Sequence, residues 1–146
     1  MTRRTRLAGA LVALACLGSL SACGGDDVNT SAEPVEVEVG DAFTWNGFAV
    51  DDGWTIKGVE RSVNAETVTT PQVRGSITNE TDETRTAIFQ MVFSADGDPI
   101  ATLSCSASEM EPEQSMPFEC PGLSATMPKD YDAVVVQELS RDTSSS

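Results

Sequence analysis

Chemistry in this chain would fall to carboxylates and sulfur: 23 Asp and Glu, four Cys and five Met stand beside no His at all. The missing imidazole removes the commonest general base, the histidine metal sites and every triad built on that ring. Acidic clusters at Asp51-Asp52, Glu80-Asp82-Glu83, Asp96-Asp98, Glu109-Glu111-Glu113 and Asp130-Asp132 suggest oxygen ligands for Ca²⁺, but none has the alternating Asp order and distal Glu of an EF-hand loop. Turn and surface solvation explains them more simply. A glycosidase needs two carboxylates about 5 to 9.5 Å apart across a cleft, and no spacing here singles out such a pair. Met110, Met116 and Met127 are soft donors suited to copper(I), though loop and core filling is the plainer reading. Trp45 and Trp54 would stack on a sugar if exposed and belong to the core if not. No catalytic residue, metal ligand or cofactor motif is therefore assigned.

Charge narrows the partners. The formal net charge is −14, which repels phosphate backbones, so nucleic acid is excluded as a partner. Length allows one domain of ordinary size plus a leader and a tail: 146 residues. Residues 1–22 read as an export signal, with Arg3, Arg4 and Arg6 ahead of an uncharged apolar run from Leu7 to Leu20. Those 14 residues rise about 21 Å as a helix, short of a bilayer core of about 30 Å. The remainder is expected outside the cytoplasm.

Leu20-Ser21-Ala22-Cys23 resembles the lipobox of bacterial lipoproteins, in which the cysteine is lipidated and becomes the first mature residue. The resemblance implies a diacylglyceryl group on Cys23 and a protein held on the outer side of the cell membrane by its acyl chains. Cys16, with Ala13 three residues before it, would be lost with the leader. Cleavage before Cys23 leaves six basic residues against all 23 acids, a net charge of −17. Residues 23–41 are rich in Gly, Asn, Ser and acids and lack aromatics, the composition of a solvated tether. Val35, Val37 and Val39 alternate with Glu36 and Glu38, so this end either adds an edge strand or stays extended.

All eight aromatics lie between Phe43 and Tyr131, which places a packed domain over residues 42–140 and leaves 141–146 as a disordered tail. Its pattern has period two: Phe89, Met91 and Phe93 point one way, Ile88 and Val92 the other. Further strands are expected over Phe43–Val50, Trp54–Val63, Val73–Ile77, Pro99–Cys105, Met116–Cys120 and Ala133–Leu139. Asp96-Gly97 supplies the positive φ of a tight hairpin between the Phe89 and Ile100 strands. About seven antiparallel strands without an amphipathic helix suggest an all-β, immunoglobulin-like sandwich.

Cys105 and Cys120 are the thiols left after lipidation, in a compartment where disulfides persist, and are expected to pair. Their midpoint between Pro112 and Glu113 fits a hairpin, and a bridge between two sheets fits the spacing equally. They lack the Cys-x-x-Cys spacing of a redox pair.

Val73-Arg74-Gly75-Ser76-Ile77-Thr78-Asn79-Glu80-Thr81, followed by Phe89, Phe93, Asp96-Gly97, Ile100, Glu111-Pro112-Glu113-Gln114-Ser115 and Phe118, resembles the FxLYN-type immunoglobulin-like domains of bacterial lipoproteins. Glu113 stands where that pattern carries glycine. The resemblance implies an extracytoplasmic module and transfers no catalytic residue. The expected function is a non-catalytic, lipid-anchored binding module. Its protein or small-ligand partner is not specified by the sequence. The alternatives are a cation or small-ligand receptor, with Ca²⁺ ahead of copper, and a carboxylate-based enzyme.

Overall fold

The computed structural model describes residues 27–139 and is all-β, with nine strands and no helix among the described residues. The strands are β1 (Val35–Val37), β2 (Phe43–Trp45), β3 (Phe48–Val50), β4 (Thr55–Val63), β5 (Glu66–Asn79), β6 (Arg85–Ala95), β7 (Asp98–Met110), β8 (Ser115–Pro121) and β9 (Ala133–Gln137). All pairings are antiparallel and follow the order β1-β9-β6-β7-β8-β5-β3-β2, with β4 paired to β5. The leader, Cys23 and the tail at 141–146 lie outside the described residues.

Two strands more than expected arise at two places. The run from Phe43 to Val50 is not one strand, because Asn46 and Gly47 take φ of 48° and 79° and fold it into a hairpin. Two successive positive φ values define the loop that matches strand twist, and Asn-Gly is its preferred pair. The acidic stretch read as a tether up to Asp41 contributes the other. Val35–Val37 pairs with Val134–Val136 of β9, and Val37 is buried.

The sheet rolls until its ends nearly meet. Just before β1, Asn29 and Ser31 carbonyls accept hydrogen bonds from Gly47 and Asn46, which follow β2. Glu33 also accepts one from the Trp45 indole, 3.1 Å away. The result is a single barrel-like sheet, where a sandwich of about seven strands was expected. The β7–β8 junction is laddered only at Ser106↔Glu119.

Alternation fills the interior. Phe89, Met91 and Phe93 of β6 point inward, as do Ala101, Leu103 and Cys105 of β7, while Ile88 is half exposed. Phe89 sits at the centre, its ring 5.8 Å from Trp45 and 5.9 Å from Phe118. Room for this packing depends on Gly75, since a Cβ there would meet Phe118 at 2.7 Å and Trp54 at 2.8 Å. The expected Asp96-Gly97 hairpin is present, with φ of 52° and 84° between β6 and β7.

Candidate functional site

Cys105 and Cys120 form a disulfide with Cα atoms 4.2 Å apart. The neighbouring pair Ser106↔Glu119 sets the register, so the cysteines face each other on successive strands of one hairpin. The hairpin reading therefore holds. The bridge also spans the β7–β8 junction, where it adds a covalent tie beside the one laddered pair. At the turn Glu113 takes φ of 60°, the conformation in which glycine is at ease.

Asn79 closes that end of the barrel, a role the sequence reading did not assign. Its side chain is fully buried, and Nδ2 lies within hydrogen-bonding distance of the carbonyls of Glu83 (2.8 Å), Met110 (3.0 Å) and Glu111 (3.2 Å). Oδ1 accepts from the Thr81 amide and hydroxyl. Its backbone accepts from Glu113 and donates to Gln114. One amide group thus joins β5, the β5–β6 loop and the β7–β8 turn, so Asn79 is structural. Among the described residues no buried side-chain polar atom lacks a partner.

The acidic clusters stay apart. No group of three or more Asp, Glu or Cys positioned to hold a metal ion occurs among the described residues. Asp132 caps the β6–β7 turn, accepting from the Asp96 amide at 2.9 Å, which assigns this contact a turn role. Trp45 and Trp54 are buried, and the Trp54 indole donates to the Asp41 carbonyl at 2.7 Å, so the sugar-platform reading is overturned. Met110 is buried in the core, whereas Met127 lies beside Gly58 of β4. The main surface depressions are open. One of about 350 Å³ is lined by Glu36, Glu38, Tyr131 and Asp132, another of about 510 Å³ by Asp27, Glu80 and Glu113.

The β4–β5 ribbon differs from everything else. β4 pairs with β5 over nine residues and with no other strand among the described residues, and residues 66–69 are exposed on both faces. Lys57, Arg61 and Arg74 all belong to it. A signal was available in the Thr67-Val68-Thr69-Thr70 run, which extends β5 well before Val73.

No protein-family model, curated protein or solved structure matches the chain. The FxLYN resemblance therefore rests on the strand and turn residues quoted for it.

Proposed function

We propose that the protein is a lipid-anchored, extracytoplasmic binding module without catalytic activity, held at the cell membrane through Cys23 and built as an immunoglobulin-like domain. The observation that carries the reading is Leu20-Ser21-Ala22-Cys23 set directly after a charged and then apolar leader. The Cys105–Cys120 disulfide supports it, because such bonds persist outside the cytoplasm. The immunoglobulin-like reading draws support from the antiparallel pairing throughout and from the aromatic core, in which Phe89 of β6 meets Trp45 of β2 and Phe118 of β8. Open depressions and the absence of histidine favour surface recognition over an enclosed reaction.

Mass spectrometry of the native protein with and without reductant tests the assignment. The expected species begins at Cys23, carries a diacylglyceryl mass and gains two hydrogens on reduction. Cys23→Ser should move the protein out of the membrane fraction. A chain recovered from cytosol with its leader intact and Cys23 unmodified overturns the reading.

A further inference from the structure

Basic residues in this protein are few and grouped. Six follow residue 23, and three of them, Lys57, Arg61 and Arg74, lie on the β4–β5 ribbon. The register places all three on one face: Thr55 is opposite Arg74, and alternation from Thr55 carries Lys57, Val59, Arg61 and Val63 to the same side. Val63 (49 % exposed) and Val68 (37 %) add apolar surface there. The acids of this face are Glu66, opposite Val63, and Glu119, which pairs with Arg74 at 3.2 Å. Lys57 and Arg61 make no ion pair among the described residues.

This face borders a free edge. The outer edge of β4 meets no strand among the described residues over its nine positions, leaving backbone N–H and C=O groups open to an added strand. The other edges offer less: β1 and β2 have three residues each, the chain around them is tied together by hydrogen bonds, and the far side of β5 is open only ahead of Pro71, which has no N–H and whose carbonyl accepts from Gly122. Charge selects among occupants. A second copy adding antiparallel about Val59 would set Lys57 against Arg61 in both directions, which is repulsive. An acidic strand would place carboxylates four residues apart beside the same two cations, an attraction at contact distance, whereas the repulsion from the net charge of −17 is spread over the whole surface and screened by salt beyond about 10 Å.

We infer that the outer edge of β4 accepts an extended acidic polypeptide segment as an additional strand, with its carboxylates facing Lys57 and Arg61 and an apolar side chain against Val59 and Val63. This names a partner class for the binding module proposed above and rests on that reading only for orientation. Asp27 and Val28 share a depression with Asn79 at one end of β5. The ribbon tip lies at the other end, about 45 Å away along a 14-residue strand. A chain anchored through Cys23 would present the ribbon away from the bilayer.

The test titrates the purified mature protein with a labelled synthetic peptide repeating Glu-Thr-Val-Thr, which sets Glu and Val in turn along one face, read by fluorescence anisotropy. Saturable binding is expected, weakened by salt and lowered about tenfold or more by combined Lys57→Gln and Arg61→Gln. Both side chains lie on the ribbon outside the core, and because Arg61 also donates to Thr70 Oγ1, unchanged amide exchange in β4 of the free variant serves as the control that the ribbon itself stays folded. Two further peptides carry backbone N-methyl groups on odd or on even residues. Strand addition blocks one of them and spares the other, and it slows amide exchange in β4. Absence of saturable binding overturns the inference. So does equal binding of both methylated peptides, equal binding of a peptide with its Glu residues in one block, or dimerisation of the free protein through β4. The peptide titration does not depend on acylation. Unmodified Cys23 therefore overturns the anchor alone, and failure of an acylated protein to bind overturns the strand addition alone.

Discussion

The two ends of β5 belong to the same strand and live in different environments. At its C-terminal end β5 lies between β3 and β8, with Ile77 and Asn79 buried. At its N-terminal end it has only β4 beside it, and residues 66–69 are exposed on both faces. The barrel end is held by apolar burial, a disulfide and an amide knot. The ribbon is held by the hydrogen bonds of one hairpin and a few side-chain contacts, such as Arg61 Nε donating to Thr70 Oγ1 at 3.2 Å. Isolated two-stranded hairpins are marginal in water. The ribbon should therefore open separately from the barrel, at lower free energy, which is what an edge awaiting a partner strand requires.

Core truncation gives the widest separation between the regions. Phe89→Ala removes the ring that Trp45 and Phe118 pack against and should cost about 4 kcal/mol in urea unfolding. Val68→Ala in the ribbon should change global stability by less than about 0.5 kcal/mol. Comparable losses from the two would mean that the ribbon is part of the barrel's cooperative unit.

Reduction of Cys105–Cys120 comes next. The bond joins residues 15 apart, and loop-closure entropy for that separation is worth about 3 kcal/mol. Because β7 and β8 share one laddered pair, the reduced protein should also lose amide protection first on these strands. Hydrogen exchange that quickens only in β4 and β5 would contradict this division.

Much of the barrel was legible in residue order. Alternation along Phe89–Phe93 and the Asp96-Gly97 turn encode β6 and β7 locally, and both stand as read. The split at Asn46-Gly47 was equally local, but the five apolar or aromatic residues of the run from Phe43 to Val50 masked the turn signal. Other features needed the third dimension. Val35–Val37 is a strand only because β9, a hundred residues later, lies beside it. Asn79 reads as a turn residue until the β7–β8 hairpin brings the carbonyls of Met110 and Glu111 to its amide. The basic face depends on the register of β4 against β5, since Lys57 and Arg74 are far apart along the chain.

Asn79→Ala should destabilise by about 2 kcal/mol. It leaves the buried carbonyl of Met110 without its side-chain donor and frees the loop at Thr81. Asn79→Asp keeps the acceptor for Thr81 but turns an acceptor toward three carbonyls, so it should be no milder. Rescue of thermal stability by aspartate would show that the Thr81 contact, rather than the carbonyl cluster, closes the barrel.

The smallest effect separates the regions most cleanly. Ala65 at the ribbon tip and Glu113 at the β7–β8 turn both hold positive φ, 67° and 60°, where a Cβ costs roughly 1–2 kcal/mol. Glycine relieves that cost and loses part of the gain to unfolded-state entropy, so each substitution should stabilise its own turn by about 1 kcal/mol. Glu113 donates its amide to the Asn79 carbonyl, inside the barrel's closure. Glu113→Gly should therefore raise the melting temperature. Asn64 and Ala65 cap a ribbon that opens before the barrel does. Ala65→Gly should slow amide exchange in β4 while leaving the melting temperature unchanged. The strain removed is alike in the two variants, so any difference in readout reports where the cooperative unit ends. A melting temperature raised equally by both would extend that unit to the ribbon tip.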